Sequence, residues 1–588
     1  MAKLLLVCQR DRSRRMDPEV FRALSRALIP DNIEPHAPRV LHAPGLDIGV
    51  INPNSAVRVQ DTSVCLGNLI DPAADWGRTL APRPDGTYAL FRADDRRIEL
   101  VSDACASRTL WYAQTDEVFV ASTSQRAIVT VLGGYQPNRD AIAWMLSAGN
   151  LGPGLSWDRR IKCVAVNARV VLERDAWTVQ ESREEIEFAP RPAPDRAHRE
   201  EFIRALREVF GRLHVDYATW HLTLSGGLDS RCILLMLENR TGLRSVTWGL
   251  ASAQEMEKSD AVVARKLADY FGLAHEYYPT DVATESIDTV FNRLLIAGEG
   301  RTDTLSAYMD GCRIWSRLFS AGIDGVIRGD VVFSPYRVYS EEDVRRIDGA
   351  MFLRDYANLA RFGRHFGESQ YWPEHLHRRA GETLSAWRDR LTYEYRCPVI
   401  WAALNEIKSS YVEVMNPLLS RRILDVIVTL PDHLRDGRSM YRGIIEEMSP
   451  PIEFAEHNAI ENPAGILSSP QVVSHLREAL GSGYASTLLP DELIGLILAN
   501  IATAQPQRQS RRRLPKFLRQ LVPERLRMYR NRLTQPRDLG VNLLALRAYI
   551  VVAMDRRFKS DARYLASREG ALSDIVPKKT RGMSGTSR

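Results

Sequence analysis

Residues 222–237 read LTLSGGLDSRCILLML, and this stretch decides the fold of the chain around it. Its first residues are apolar and predict a strand, whereas the residues that follow Asp229 predict an apolar helix. Gly226 and Gly227 lie between the two and allow a tight turn that brings backbone N–H groups close to a ligand. In an open α/β sheet, ligands bind beyond the carboxyl ends of the strands, so the stretch predicts a binding site there.

The side chains of this turn indicate an anionic ligand. The helix that starts near Asp229 directs its positive dipole end at the turn, and Ser225 and Ser230 can donate hydroxyl hydrogen bonds. Because a carboxylate repels phosphate unless a metal ion lies between them, Asp229 predicts Mg²⁺ bound to phosphate oxygens. The G-x-x-x-x-G-K-[ST] phosphate loop does not occur in the sequence, and an ordinary turn between a strand and a helix is the alternative.

The chain of 588 residues is long enough for two or three domains. Short β-branched and aromatic runs within residues 1–190 predict a strand-rich domain, and the proline-rich segment FAPRPAPDRAHRE at 188–200 predicts a linker. Helical and strand patterns alternate in the first part of residues 199–480, which predicts a parallel sheet with helices on its faces. The predicted fold class is therefore α/β, with an α+β, β-rich sandwich domain at the front.

Residues 481–588 predict a helical extension of basic character. Eleven Lys and Arg residues and a single acid, Glu524, lie between Arg508 and Arg537. A solvated helical face and a docking surface for an acidic partner or a membrane are both consistent with this run.

The composition excludes several classes of protein. Hydrophobic residues make up 45% of the chain and charged residues 26%, as in soluble globular proteins, and the net charge of +6 indicates no nucleic-acid partner. The seven cysteines are scattered without a C-x-x-C pair, which argues against a disulfide framework and a structural zinc site. No targeting segment is evident, and the apolar run NLLALRAYIVVAM (542–554) is too short for a membrane span. We therefore expect a cytoplasmic protein without membrane association.

The S-G-G-x-D-S pattern after a strand resembles the pyrophosphate loop of the ATP pyrophosphatases, in the branch that contains asparagine synthetase, β-lactam synthetase and the lasso-peptide cyclases. The resemblance implies a synthetase domain with an adenine-nucleotide α-hydrolase-like fold that binds ATP and Mg²⁺. For Trp248, which would border the adenine, a place in the protein core is the alternative. The nucleotide-binding residues that the resemblance implies are Leu224, Ser225, Gly226, Gly227, Asp229, Ser230, Trp248 and Gly329.

Two later segments resemble further motifs of the same branch. GVIRGDVVFSPY (325–336) is similar to Asp-Glu-Val-Phe-Gly-Gly-Tyr, which implies that Asp330 is a second magnesium ligand; a plain aspartate at a strand end is the alternative. YVEVMNPLLS (411–420) is similar to Glu-x-Arg-x-Pro-Phe-Leu-Asp, which implies that Glu413 accepts the amine proton, unless it only lies on a helix face. The predicted catalytic residues are therefore Asp229, Asp330 and Glu413.

One residue of that branch is missing from this sequence. The lysine that stabilises the transition state there has no counterpart in AEHNAIENPAGIL (455–467), and Lys408 and Arg438 are candidates to replace its charge. Asp260, in the segment EKSDAVVARKLADYFG (257–272), either helps to hold the magnesium-pyrophosphate side or caps its own helix.

The front of the chain resembles the glutaminase domain of asparagine synthetase through DGTYALF (85–91) and SDACASRTLWYAQTDEVFVAST (102–123). Glutaminase chemistry needs a cysteine at the mature N-terminus, whereas this chain reads Met1-Ala2-Lys3, so we expect a scaffold domain without that activity. An enzyme of this branch that adenylates a carboxylate without making ammonia must take its amine elsewhere, most simply from the substrate itself.

The long C-terminal region favours the lasso-peptide cyclases over β-lactam synthetase. The resemblance then implies that the protein closes a macrolactam between the N-terminal amine of a peptide and an Asp or Glu side chain. The implied partners are a precursor or core peptide and a leader-peptide protease. Three alternatives stay open: ammonia-dependent amidation as in asparagine synthetase, β-lactam-type ring closure of a small molecule, and nucleotide binding without catalysis.

Overall fold

The computed structural model describes residues 2–330, 333–366, 370–503 and 538–573, with side chains up to residue 564. The basic run between Arg508 and Arg537 therefore lies outside the described residues. Within the described ranges the chain forms two antiparallel sheets, followed by one parallel sheet. This arrangement confirms the predicted mixed α/β class with antiparallel sheets at the front.

The first antiparallel sheet packs against the second through alternate residues of its strands. Along the strand Lys3–Gln9, Leu4 and Leu6 pack with the second sheet, whereas Leu5 and Val7 point to the opposite face and pack with helices. The strand order is β10-β8-β9-β1-β3-β2 in the first sheet and β12-β11-β7-β6-β5-β4 in the second. These strands are β1 (Lys3–Gln9), β2 (Arg39–Ala43), β3 (Leu46–Ile51), β4 (Arg58–Gln60), β5 (Ser63–Ile70), β6 (Asp85–Ala93), β7 (Arg97–Ser102), β8 (Trp111–Gln114), β9 (Val118–Ser122), β10 (Lys162–Cys163), β11 (Ala168–Glu173) and β12 (Thr178–Arg183).

Helices α1 (Pro18–Ala27), α2 (Gln125–Leu132) and α3 (Arg139–Ala148) share a hydrophobic core with the outer face of the first sheet. The side chain of the residue before each helix accepts a backbone hydrogen bond from its first turn, as expected for Asp, Ser and Asn at this position. Local sequence therefore sets where these helices begin.

The second half of the chain contains the parallel sheet. Its strands are β13 (Trp220–Thr223), β14 (Arg244–Gly249), β15 (Ala274–Pro279), β16 (Gly325–Ile327) and β17 (Glu413–Met415). They hydrogen-bond in the order β15-β14-β13-β16-β17, and every pair is parallel. The chain order reverses between β13 and β16, and such a switch point opens a crevice at the carboxyl ends of the two strands.

Helices cover both faces of this sheet. Ile327 packs with α4, α5, α6, α12 and α14 on one face, whereas its neighbour Val326 packs with α7, α8 and α11 on the other. These and the remaining helices are α4 (Asp195–Gly211), α5 (Leu228–Met236), α6 (Asp260–Tyr270), α7 (Ile287–Gly298), α8 (Arg313–Ser320), α9 (Glu341–Ile347), α10 (Leu384–Leu391), α11 (Ala402–Ser409), α12 (Arg421–Ile427), α13 (Asp432–Arg435), α14 (Ser439–Met448), α15 (Pro463–Leu467), α16 (Pro470–Gly481), α17 (Asp491–Asn500) and α18 (Val541–Ser573). A π-helix over Thr392–Trp401 joins α10 to α11. Short 3-10 turns occupy Ala251–Gln254, Leu353–Asp355, Ala360–Phe366, Glu374–Leu376, Pro417–Leu419, Asp436–Arg438 and Ala485–Thr487.

The C-terminal helix α18 returns to the front of the molecule. Arg547 on α18 donates hydrogen bonds to the carbonyls of Leu146 and Ser147 at the end of α3, at 3.1 and 2.6 Å, and pairs with Asp303 at 2.7 Å. The domain boundaries near residues 190 and 480 stay predictions. No helix in the described part of the chain has the length and apolar content needed to cross a bilayer.

Candidate active site

The two predicted metal-binding carboxylates lie at the switch point of the parallel sheet. Asp229 is in the first turn of α5, which follows β13, and Asp330 lies just after the end of β16. Gly329 permits the close contact between these segments, because a Cβ atom placed there would lie 2.9 Å from the Cβ and the carbonyl carbon of Asp229. The sheet topology therefore brings together two motifs that are about a hundred residues apart in sequence.

The predicted phosphate loop is held by its own side chains. Ser230 Oγ accepts the Ser225 N–H at 3.0 Å, and Ser225 Oγ accepts the Gly227 N–H at 3.2 Å. Gly227 is the N-cap of α5, and among the described residues no side chain caps this helix. The N–H groups of its first turn can therefore bind an anion, which the positive end of the helix dipole also favours.

A cavity of about 470 Å³ opens beside this loop. Its wall includes predicted residues on the loop, on β14 and after β16, namely Leu224, Ser225, Gly227, Asp229, Ser230, Trp248 and Gly329. Of the predicted nucleotide-binding residues within the described ranges, only Gly226 is not part of the wall. A Cβ at Gly226 would lie 2.4 Å from the Cβ of Ala455, so this glycine lets the loop pack against the segment behind it.

Two alternatives that the sequence leaves open concern Trp248 and Asp260. Trp248 is half-buried, packs edge-on against Trp315 with ring centroids 5.2 Å apart, and also lines the cavity. Ser259, not Asp260, caps α6 with its side chain. Asp260 instead accepts the N–H of Gly226 at 3.1 Å, so it holds the predicted phosphate loop in place.

Each of the two carboxylates has an arginine partner. Asp229 lies 3.4 Å from Arg438, and Asp330 lies 3.0 Å from Arg328. The amide of Asn416, directly after β17, donates a second hydrogen bond to Asp330 at 2.7 Å. Burial raises the pKa of Asp229, Arg438 opposes this rise, and the negative charge of Asp330 adds to it.

This donor set fits Mg²⁺. A half-buried carboxylate, Asp229, and a buried one, Asp330, which repel each other at the edge of a cavity, suit a hard cation that takes its other ligands from water and phosphate oxygens. The described residues contain no group of three or more His, Cys, Asp or Glu side chains placed to hold a metal ion by themselves. Asp229 and Asp330 therefore suit a metal that arrives with a phosphate ligand better than a structural metal.

Both candidate cations for the missing lysine line the cavity. Lys408 is buried, donates to the Leu404 carbonyl at 2.9 Å and lies 5.7 Å from the ring centre of Tyr308. Burial lowers the pKa of Lys408 well below its usual value, and Arg328 lowers it further. Arg438 is fixed by a hydrogen bond of 2.8 Å that its guanidinium donates to the Phe333 carbonyl.

Glu413 lies away from this group of residues. It is the first residue of β17, at the opposite end of the strand from Asn416, and its side chain is buried in an ion pair with Arg108 at 2.5 Å. Glu413 is not one of the described residues that line the two cavities at the carboxyl edge of the parallel sheet. Its role as the acceptor of the amine proton stays a prediction, which these contacts do not favour.

A second cavity of about 340 Å³ adjoins the first. Asp229, Arg328 and Gly329 line both cavities, and Asp330 lines the second. The far wall of the second cavity comes from the region between β16 and β17, and consists of Ser334, Pro335, Tyr336, Ile347, Asp348, Thr392, Arg396 and Trp401. The motifs at 325–336 and 411–420 include Arg328, Asn416 and the first residues of this far wall, but the sequence predicted no role in the site for them or for the rest of the wall.

The signals that could have identified two of these residues are weak. Arg328 directly follows β16 and Asn416 directly follows β17, so each lies at the carboxyl end of a parallel strand. No comparable signal exists for Asp348 or Arg396, because both come from the helical region beyond the sheet.

Comparison with known proteins supports the assignment of this part of the chain. The asparagine synthase family model matches residues 212–449, which include the whole parallel sheet and both carboxylates. This match supports an asparagine synthetase-like, ATP-dependent amide ligase within the matched segment. A search among curated proteins found no match.

Two solved structures show a weak likeness to the chain. The allosteric regulatory enzyme of purine biosynthesis is 10% identical with a TM-score of 0.21, over 49% of this chain and 83% of that one. Glutamine phosphoribosylpyrophosphate amidotransferase from B. subtilis, complexed with ADP and GMP, is 8% identical with a TM-score of 0.20, over 55% of this chain and 90% of that one. At these TM-scores the likeness carries no structural argument.

Proposed function

We propose that this protein is an AMP-forming amide ligase that uses ATP and Mg²⁺ to close the macrolactam ring of a lasso peptide. The bond would join the N-terminal amine of the peptide to an Asp or Glu side chain. The observation that carries the proposal is the pair Asp229 and Asp330, which lies at the switch point beside the uncapped N-terminus of α5. The proposal includes an adenine-nucleotide α-hydrolase-like fold for the matched segment and a leader-peptide protease as a partner in the cytoplasm.

The larger cavity is the proposed ATP site. The triphosphate would lie on the loop from Ser225 to Ser230, with the adenine towards Trp248. Asp229 and Asp330 would hold Mg²⁺, which neutralises charge on the phosphate oxygens when it is bound. Burial favours the neutral form of Lys408, and a nearby phosphate would favour its charged form.

The first chemical step would activate the peptide carboxylate. A carboxylate oxygen attacks the α-phosphorus of ATP, the bond from this phosphorus to the bridging oxygen breaks, and pyrophosphate leaves. The N–H groups of α5 and the guanidinium of Arg438 would stabilise the negative charge of the leaving group. The product of this step is an acyl-adenylate.

The second step would form the amide. The peptide amine attacks the acyl carbon, the bond from this carbon to the phosphate oxygen breaks, and AMP leaves with that oxygen. Holding the amine and the acyl carbon together can contribute about 7–11 kcal/mol in well-oriented cases. The second cavity adjoins the first at Asp229, Arg328 and Gly329, so it can hold the amine next to the activated carboxyl group.

The environment of the cysteines supports the proposal that the amine comes from the substrate and not from glutamine. Glutaminase chemistry requires an accessible thiolate. Six of the seven cysteines are buried, Cys163 is half-buried, and burial raises the pKa of Cys163 to about 12. Cys8 in β1 is also buried, and burial raises its pKa. These thiols are poorly suited to release ammonia from glutamine.

The size of the second cavity is also consistent with a reaction on a small substrate. A volume of about 340 Å³ also suits an amino-acid-sized substrate. Ammonia-dependent amidation of a small acid, or β-lactam-type closure of a small amino acid, would use the same ATP site and the same two carboxylates. A peptide substrate and a small substrate therefore have to be separated by experiment.

The test uses the full-length protein with ATP, Mg²⁺ and synthetic linear peptides. Each peptide has a free N-terminal amine and one Glu, whose position is moved by one residue at a time. We expect AMP, pyrophosphate and, for at least one peptide, a product lighter by one water, measured by nucleotide chromatography and mass spectrometry.

Two control peptides separate the steps. Acetylation of the N-terminal amine should stop the loss of water but leave adenylation possible, and replacement of the Glu by Gln should stop both. Formation of ADP and phosphate, or loss of water from the acetylated peptide, would contradict macrolactam closure. AMP formation with free ammonium and a small acid, but with no peptide, would support the small-substrate candidate instead.

A further inference from the structure

The second cavity contains a carboxylate that the proposed mechanism has not used. Asp348 directly follows α9 and is fully buried, yet it lines the cavity that adjoins the ATP site. Its Oδ1 accepts a hydrogen bond from the Thr392 hydroxyl at 3.2 Å. Its Oδ2 is also buried, and among the described residues it has no hydrogen-bond partner.

An unpartnered carboxylate oxygen is costly in a protein interior. Leaving a buried acceptor unsatisfied costs roughly 1–3 kcal/mol, and more when the group is charged. Asp348 borders a cavity, and a small rotation of its side chain would bring Oδ2 to a bound ligand whose N–H group supplies the missing partner. The structure therefore leaves at this place an acceptor that suits a donor from the substrate.

The nearby arginines do not form ion pairs with this carboxylate. Arg396 donates to the carbonyl of Ile347, and Arg388 pairs with Asp389 and Asp436 at 2.8 and 2.9 Å. Burial raises the pKa of Asp348 to about 7; the charges of Arg396 and Arg388 oppose this rise, whereas Asp389 adds to it. A group that titrates near neutrality is well suited to exchange protons with a substrate.

We propose that the second cavity is the subsite for the attacking amine, and that Oδ2 of Asp348 accepts the amine proton. This inference rests on the proposed function and adds to it the residue that deprotonates the amine. The substrate ammonium loses its first proton to solvent and binds as the neutral amine. As nitrogen bonds to the acyl carbon, the bond from that carbon to the phosphate oxygen breaks, AMP takes the electron pair, and the second proton passes to Asp348.

The assignment differs from the one predicted from sequence. Glu413 was predicted to accept this proton, but it is paired with Arg108 at the other end of its strand. Asp348 shares a cavity with Asp229 and Asp330, whereas the described wall of that cavity does not include Glu413.

The test compares two half-reactions in the variant Asp348→Asn. Asn keeps the size of the side chain and can still accept from Thr392, but it cannot take a proton. We expect exchange of labelled pyrophosphate into ATP, with the single-Glu peptides described above, to stay within about twofold of wild type. Formation of the dehydrated peptide should fall by about a hundredfold. Asp343→Asn, which makes the same change on α9 outside the cavity wall, should leave both rates unchanged.

Hydroxylamine gives a further readout. It is a strong nucleophile that attacks acyl-adenylates in water, where the solvent takes the proton that its nitrogen loses, so its reaction needs no base from the protein. Asp348→Asn should form hydroxamate from the same peptides as fast as wild type. A slow hydroxamate reaction together with slow pyrophosphate exchange would show that Asp348 serves adenylation, and would overturn the inference. Normal formation of the dehydrated peptide in Asp348→Asn would overturn it as well.

Thermal unfolding checks that the variant is folded and that Asp348 titrates. A raised pKa means that stability from the protonated group is complete below the unfolded value of about 4 and is lost as pH rises through about 7. The stability of Asp348→Asn relative to wild type should therefore rise between about pH 4 and about pH 7 and stay constant above that range.

If Asp348→Asn does not fold, the variant Asp348→Glu tests the proton-accepting role of Asp348 instead. Moving the carboxylate should change the pH profile of amide formation but not that of pyrophosphate exchange, and an unchanged profile would refute the inference. If the wild-type protein forms no AMP with any peptide or with ammonium, the proposed function fails, and the inference fails with it.

Discussion

At the scale of single residues, the main feature of the site is that each of its two carboxylates is paired with an arginine. Asp229 and Asp330 each have an arginine within 3.4 Å, and both lie in the wall of the second cavity. A bound metal ion would replace these arginines as the partner of the carboxylates. The arginines would then be available to bind phosphate oxygens, for which the fork of a guanidinium is suited.

The variants Asp229→Asn and Asp330→Asn should therefore lose AMP formation by about a hundredfold or more, because each removes a metal-binding charge at nearly constant volume. Nucleotide chromatography measures AMP, and circular dichroism checks the fold. Asp269→Asn on the exposed side of α6 is the control and should behave as wild type. Near-normal AMP formation in Asp330→Asn would show that the second acidic motif is aligned wrongly.

Sequence could predict only part of the site at this scale. The residues of the phosphate loop are contiguous, so a local motif with a known mechanism indicates them. Asp348 and Arg396 carry no such motif, because α9 and the π-helix bring them to the cavity from different places in the chain. Glu413 shows the limit of motif similarity, which does not reveal that β17 places this residue away from the described walls of the two cavities.

At the scale of elements, the site depends on how closely two segments of the sheet approach each other. The segment after β16 contacts the first turn of α5 at Gly329. This glycine has no strained backbone angle that would by itself require glycine, so its role is to leave space. The strand order β15-β14-β13-β16-β17 makes this contact possible, because β13 and β16 are neighbours.

The variant Gly329→Ala should displace Asp229 from Asp330, because the new methyl group would lie 2.9 Å from backbone and side-chain atoms of Asp229. We expect AMP formation to fall by roughly tenfold to a hundredfold, as a displacement of about 1 Å can cause. Gly211→Ala is the matched control, since open space surrounds that position. Equal AMP formation rates in the two variants would contradict the close approach of these segments.

The helical and strand pattern of the sequence predicted the parallel sheet but not its strand order. Periodicity indicates that a strand or a helix forms, whereas pairing depends on contacts between distant residues. β16 and β17 show the difficulty, because each has three residues and is separated from its neighbours by long helical segments. Such short strands carry too little pattern to be placed by sequence alone.

At the scale of the whole molecule, the front and back of the chain share one hydrophobic core. The same cluster contains Leu5 in β1, Val326 in β16 and Phe558 in α18. Arg547 extends this connection with hydrogen bonds to the end of α3. The sequence indicated a helical extension after residue 480, but an amphipathic pattern does not say which surface a helix will cover.

The proposed function requires that a substrate carboxylate is activated as an acyl-adenylate at the site formed by Asp229 and Asp330. Transfer of oxygen tests it most directly, because the carboxylate oxygen that attacks the α-phosphorus leaves with AMP when the amide forms. The measurement uses a peptide whose Glu carboxylate is labelled with heavy oxygen, followed by mass spectrometry of the nucleotide products. We predict AMP that carries one heavy oxygen atom, together with unlabelled pyrophosphate. Unlabelled AMP, or label in inorganic phosphate released together with ADP, would contradict the claim.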